Sequence, residues 1–313
     1  MKPMNTIASQ LPVKDIKSYI LWHDFNLVCH QAKHSNSLDT PPQHEHKDFY
    51  ELVIVAAGCG VHQLGTHEWK ISAGNVFLIP PKNSHCYKEY DNLLIYNLIF
   101  SEKFLRLILA DLSRLPGFQL LFNLDVKENV RNLPAGIRIK EEYFPEVIEL
   151  VNRMNKLNQS VEIGDKTMML SLFAHVMLLL ARHVHFAGNS KQLYYVDKLS
   201  ALLSVLEDYF DSQWDLGKMA KFCNMSISSF RQSFKVFTGV SPIDYLLSLR
   251  LNKAARFLEY SSSSLEEIAL QSGFNDVNYF AKQFKKHFDI QPSKYRRECQ
   301  HGQRPPTLGS KRN

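Results

Sequence analysis

The chain has 313 residues, enough for two domains and a connection, and 45% of them are apolar, which excludes general disorder. The formal net charge is +6, yet residues 195–300 hold 14 Lys and Arg against 12 Asp and Glu, so the C-terminal third is no bulk polycation. Five cysteines without Cys-x-x-Cys spacing suit a reducing cytoplasm, no basic-then-apolar leader opens the chain, and its longest apolar run, Met168 to Ala181, is too short to cross a bilayer.

In chain order, residues 1 to about 40 carry little pattern. Tyr19 to His30 is expected to supply a strand or two, and Ser35 to Pro42 a loop. From Gln43 to Phe100 the texture is β: the runs Leu52–Val55, Val76–Ile79 and Leu93–Phe100 alternate with Gly, Pro, Asn and Asp turns. Many short strands with regular turns predict a sandwich or small barrel.

Inside this region lies His44-x-His46-x-x-x-x-Glu51-x-x-x-x-x-x-Gly58, followed by Gly74-x-x-x-x-x-Pro80-x-Lys82-x-x-His85. His44 and His46 share a strand face, and imidazole plus carboxylate is a donor set suited to transition metals. The two strings resemble the paired motifs of the cupin superfamily, a β jelly-roll, with Lys82 standing where many cupins have Gly. The resemblance implies that His44, His46, Glu51 and His85 hold either a metal ion or a small effector. Effector binding without metal is the expectation, so no cofactor is expected. A structural role and a true metal site stay open, and with them an enzyme or a metal sensor carrying an appended DNA-binding domain. Tyr50, Tyr87 and Tyr96 are candidates to line the same pocket, with plain core packing as the alternative.

From Ile139 to Phe186 the apolar period becomes helical. Tyr143, Val147, Ile148, Val151 and Met154 form one stripe. Asp165 is expected to cap a second helix whose apolar residues (Met168, Met169, Leu172, Phe173, Val176, Met177, Leu180) run almost all the way round. Such a helix needs two partners, and the second is expected to be another subunit, making residues 139–186 a dimer interface. Burial within one chain is the alternative. Residues 187–194, with Gly188, Asn189 and Ser190, read as a linker.

Beyond it the chain contains itself twice. Leu216-x-x-Met219-Ala220-x-x-x-Asn224 matches Leu265-x-x-Ile268-Ala269-x-x-x-Gly273, and Phe230, Phe234, Lys235, Pro242 and Tyr245 match Phe280, Phe284, Lys285, Pro292 and Tyr295. Each copy reads as helix, turn, helix, over about 216–237 and 265–288, with Asn224 and Gly273 at left-handed turn positions and Ser226 and Asp276 as N-caps. Ser228, Arg231, Gln232 and Lys235 point away from the first core face; Asp276, Asn278, Lys282, Lys285 and Lys286 point away from the second. Arg, Gln and Asn read base edges, whereas Lys suits phosphates. Ser241-Pro242 starts a connecting helix that is expected to run to about Glu259, long enough to place two readers in successive major grooves. Ser264-x-x-Glu267 is a capping box. Residues 299–313, with Arg304, Lys311 and Arg312, read as a loose basic tail.

The run Gly273-Phe274-x-Asp276-x-x-Tyr279-Phe280-x-x-x-Phe284-Lys285-x-x-x-x-x-x-Pro292-x-x-Tyr295-Arg296 resembles the signature of AraC/XylS-type bacterial transcription regulators, and the likeness covers residues 195–298. Asn224 departs from the Gly often found at the first turn. The resemblance implies a two-domain regulator with a mixed fold: a cupin-like effector domain over 1–138 with the helical pair 139–186, and an all-α double helix-turn-helix. It implies double-stranded DNA, RNA polymerase and a second copy of the chain as partners. Regulators of rhamnose and other sugar operons are the most similar in look, which implies an activator with a sugar effector.

Overall fold

The computed structural model describes residues 13–15, 25–35, 43–102, 104–105, 111–123, 136–158, 160, 162–187 and 190–300. The readings of residues 19–24, of most of the loop Ser35–Pro42 and of the tail beyond residue 300 lie outside these. The chain divides into two compact units, residues 1–200 and 201–313.

Two long antiparallel strands, β4 (Tyr50–Leu64) and β7 (Ser84–Phe100), organise the first unit. Both extend well past the short apolar runs, because pairing with each other satisfies their polar positions' backbone as well. The first half of β4 pairs with β6 (Val76–Ile79) and its second half with β5 (His67–Ser72). Strand β7 pairs with β2 (Leu27–His34) along its last residues and with β3 (His44–His46) at its start; β1 (Val13–Lys14) lies beside β3.

The long ribbon is bent where its register slips three times between Val55 and Val61. Gly58 sits in this bend at φ 72°, and a Cβ there would lie 2.2 Å from the Asn92 carbonyl oxygen. The bend folds the two halves over one interior in which Val53, Val55 and Phe77 meet Leu64, Ile71, Tyr87 and Tyr90. This is the curled, two-layered β domain that the turn pattern foretold.

The sheet's other face carries helices. Among them α3 (Asp165–His183) packs on both α1 (Pro116–Asn123) and α2 (Phe144–Leu157), and α2 lies over β2. Phe173 meets Phe100 at 5.1 Å between ring centroids, and the Cys29 thiol donates to the Val151 carbonyl at 3.5 Å. Strands β8 (Ile137–Ile139) and β9 (Val184–Phe186) pair, and Arg138 ties them to the barrel by donating to Ser72 Oγ at 3.0 Å and to the Ala73 carbonyl at 2.6 Å.

Three expectations change here. The N-cap of α3 is Gly164, left-handed at φ 103°; Asp165 is the first helical residue and accepts from the Glu162 N–H at 2.8 Å. The apolar circumference of α3 finds its partners inside the chain, in α1, α2 and the sheet: Met169, Leu172, Phe173, Val176, Met177 and Leu180 are buried, and only Met168, 45% exposed, faces out. The stretch read as linker is partly helical, since α4 (Ser190–Asp208) begins within it.

In the second unit each copy folds as its pattern dictates. Helices α5 (Leu216–Phe222) and α6 (Ile227–Thr238) form the first pair; α8 (Leu265–Gln271) and α9 (Val277–Phe288) form the second. Asn224 and Gly273 hold the turns at φ 54° and 79°. Ser226 Oγ caps α6 through the Ser229 N–H at 3.2 Å, and Asp276 caps α9 through the Tyr279 N–H at 2.5 Å. The cores repeat as closely: the Phe230–Phe234 and Phe280–Phe284 centroids are 5.5 and 5.6 Å apart, and Phe234–Tyr245 and Phe284–Tyr295 are 5.6 and 5.4 Å apart.

Helix α7 (Pro242–Tyr260) connects them, capped by Ser241 with Pro242 at its start. Its 19 residues span about 28 Å at 1.5 Å each. Ser264 and Glu267 close the capping box in both directions, at 3.1 and 2.8 Å. Helix α10 (Pro292–Gln300) ends the described chain, and its Tyr295 packs into the second core.

Candidate functional site

Two places carry chemistry, one in each unit. In the second unit, burying Phe230, Phe234 and Phe237 on one side of α6 forces the residues between them outward. Ser228, Arg231, Gln232 and Lys235 are all exposed. On α9, the stripe Phe280, Phe284 and Phe288 does the same for Asn278, Lys282, Lys285 and Lys286. Asn278, Lys282, Lys285 and Lys286 line one shallow concavity with Ala281, Asp289 and Gln291.

Two of the expected contact residues also have local duties. Asp276 Oδ1 is held by the cap, and Ser228 Oγ lies 3.2 Å from the capping Ser226 Oγ. Lysines 285 and 286 sit in the last turn of α9, where the helix dipole favours cations. Ile227, expected on the core face with Phe230, Phe234 and Phe237, is instead about half-exposed in the first turn of α6, as is Tyr279, which was not singled out, in the first turn of α9. For Tyr279, a large aromatic side chain beside the core stripe Val277, Phe280, Phe284 was the available signal.

In the first unit, β3 and β7 pair so that His44 lies opposite His85, and β4 brings Glu51 beside them. All four motif residues are buried, and one ligand atom from each lies within 4.8 Å of the others. Lys82, at the cupin Gly position, has φ 63°, so it adopts the left-handed turn that Gly would; its N–H donates to the His46 carbonyl at 2.6 Å.

His46 Nε2 lies 2.8 Å from Glu51 Oε2 and 3.1 Å from His85 Nε2, and His85 Nε2 lies 3.7 Å from the same Glu51 oxygen. Burial pushes the Glu51 carboxyl up, but the His46 hydrogen bond and the neighbouring histidines hold it below its usual range. Burial drives the His85 imidazole well below its ordinary value.

The donor set fits a metal ion. Atoms separated by 2.8, 3.1 and 3.7 Å share a central point about 1.9 Å from each, close to the bond lengths of about 2.0–2.2 Å from imidazole nitrogen and carboxylate oxygen to zinc-like ions. Two ring nitrogens and a carboxylate oxygen are thus grouped around one point inside the core. His44 would complete the set, its ring centroid 4.5 Å from that of His85.

Tyr87 joins this cluster, its buried hydroxyl without a hydrogen-bond partner among the described residues and its ring 5.8 Å from His85; burial raises its pKa well above the ordinary value. Tyr50 and Tyr96 do not. Tyr50 stacks on Phe100 at 5.8 Å, and the Tyr96 hydroxyl donates to Asn152 of α2, both on the helical face of the sheet. Neighbours along a strand point to opposite faces, so Tyr50 cannot share an interior with Glu51.

Two interior residues escaped the sequence reading. His62 Nε2 lies 3.2 Å from His85 Nδ1, and burial, with His46, lowers its pKa to about 3. His34 packs on Tyr87 and Tyr90 at 5.5 and 5.4 Å.

Residues 25–146 match a family described as an AraC-like ligand binding domain, and residues 219–298 one described as a helix-turn-helix domain. The HTH-type transcriptional activator RhaS of Salmonella agona is 30% identical over 254 residues, covering 80% of this chain and 86% of its own; that of Salmonella typhimurium covers the same shares at the same identity. Among solved structures, the AdpA DNA-binding domain in complex with a target DNA is 26% identical with TM-score 0.33, covering 34% of this chain and 97% of its own. An apo form of ToxT from Vibrio cholerae strain SCE256 is 13% identical with TM-score 0.33, covering 86% and 96%.

Proposed function

Given that the chain belongs to the AraC/XylS family of transcription regulators, we propose that it activates transcription by setting α6 and α9 into successive major grooves on one face of a DNA duplex. It is a DNA-binding regulator with an effector domain, not an enzyme. The observation that carries the groove assignment is the duplication itself: two outward helices, alike in core and caps, joined by one rigid helix of about 28 Å against a DNA turn of about 34 Å.

In this reading Arg231, Gln232 and Asn278 contact base edges, and Lys235, Lys282, Lys285 and Lys286 contact phosphates, with Ser228 able to contact either. Asp276 serves its helix as cap and positions α9. Methylation interference at guanine N7 tests the arrangement. Two clusters of sensitive guanines about 10–11 bp apart are expected; a single cluster contradicts it.

The sensor is assigned to the interior around His44, His46, Glu51, His85 and Tyr87. The effector is a small polar molecule, with a sugar as the first class to try, since polyhydroxyl groups match buried imidazole, carboxylate and phenol partners. A homodimer that presses the outer side of α2 and α3 together, and contact with RNA polymerase, complete the proposal. Binding assays with a sugar panel, read as shifts in the thermal transition of the full chain, test the effector class.

A second reading has its own observation. The convergence of His46, His85 and Glu51 on one point favours a divalent transition-metal ion as what the interior binds, either as the effector or beside it. Such an ion would supply fixed positive charge, neutralising Glu51 inside the core.

A further inference from the structure

We infer that His62, which lies outside both histidine motifs, is the positioning residue of the buried metal site, holding His85 so that its Nε2 faces the ion. The inference rests on the metal reading above and goes beyond it by one residue.

Proton placement along the chain of rings assigns His62 this role. His46 Nε2 lies 2.8 Å from Glu51 Oε2, within hydrogen-bond reach of the carboxyl, and is placed to donate to it. If His85 carried its proton on Nε2, two N–H groups would face each other across 3.1 Å. His85 Nε2 is therefore a lone pair, and the ring's proton sits on Nδ1. That N–H meets His62 Nε2 at 3.2 Å and donates to it, which leaves the His62 proton on Nδ1, buried with no hydrogen-bond partner among the described residues. With a cation at the centre the same tautomer is required, because His85 then gives its Nε2 lone pair to the ion. Either way, His62 fixes which nitrogen of His85 points inward.

The setting of His62 suits this task and no freer one. It is fully buried, edge-on to Trp69 at 4.5 Å and beside Phe77 at 4.5 Å and Tyr87 at 5.1 Å. Rings on these sides leave it one orientation. Its hydrogen bond goes to His85 and not to Glu51, so its effect runs through His85.

The test uses the full chain, purified without a histidine tag, stripped with chelator and titrated with cobalt(II), followed by the ion's visible d–d absorption. His62→Phe keeps the ring volume and its aromatic neighbours but removes the acceptor; His62→Gln keeps an acceptor oxygen. Circular dichroism and the thermal transition establish that each variant is folded. Wild type is expected to bind one equivalent, His46→Ala none, and His62→Phe about 10- to 100-fold more weakly with an altered spectrum, while His62→Gln regains most of the affinity. If wild type binds no cobalt, the metal reading falls and the inference with it. If wild type binds and His62→Phe matches it in affinity and spectrum, the metal reading stands and the role of His62 is overturned. Equal weakness of the Gln and Phe variants, both folded, also overturns it, since the accepting atom would not be what matters.

Discussion

Replacing Arg231 and Lys285 separately by alanine tests whether the two outward helices work by the chemistry assigned to them. Both side chains are exposed, so neither change touches the core and the fold should survive. A guanidinium paired to a guanine edge contributes about 1–3 kcal/mol of discrimination, so Arg231→Ala should weaken binding by about 5- to 150-fold and flatten preference at one base position. Lys285→Ala removes one phosphate contact instead. Its loss should be uniform across sequences, and the slope of log K against log salt should shrink by about 0.9. Over a fourfold rise in salt, that slope change amounts to about a 3.5-fold smaller loss of affinity. Fluorescence anisotropy with a set of duplexes, each altered at one base pair and measured at several salt concentrations, reads both effects. If the two variants lose affinity alike at every base pair and share one salt slope, the division between base reader and phosphate contact is wrong.

Three further outcomes follow from the packing. Gly273→Ala would put a Cβ 2.8 Å from Arg250 Nε and from Asp211 Cα at φ 79°, so it should destabilise the second unit by about 1–3 kcal/mol and lower its thermal midpoint by several degrees, read by calorimetry; an unchanged midpoint contradicts the close packing there. Tyr50→Ala should leave the sensor's ligand response unaltered, whereas Tyr87→Phe should weaken it, because only Tyr87 lies in the interior; the reverse pattern in a thermal-shift assay would place the site on the wrong face. Sedimentation of the full chain at micromolar concentration should give a dimer, and a monomer would remove the interface assigned to α2 and α3.

What sequence disclosed depended on how local the cause was. The caps at Ser226, Ser241, Ser264 and Asp276 were legible to the residue, as were the turns at Asn224 and Gly273, since each is set by neighbours three or four positions away. The grouping of His44, His46, Glu51 and His85 was expected from the resemblance to the paired cupin motifs, and the pairing of β3 with β7 and of β4 with β7 brings the four together. His62 was not. Glu51, Val53 and Val55 point inward at odd positions, but three register slips follow, and His62 and Leu64 point inward at even ones. No counting along the chain crosses a bulge whose position is set by pairing with a distant strand. Tyr50 was a different kind of error: strict alternation next to Glu51 already placed it on the other face. The partners of α3 were hidden because the apolar pattern of α3 says that it needs neighbours but does not say whose.

Selection of bound fragments from random and genomic DNA by the purified full chain, at one fixed salt concentration, bears most directly on the claim that this is a two-handed reader of DNA. A motif of two blocks about 10–11 bp apart, set by α7, is expected, with a guanine under Arg231 and an adenine under Gln232 in the block that α6 reads. A single uninterrupted block, or binding without any motif and governed by salt alone, would contradict it.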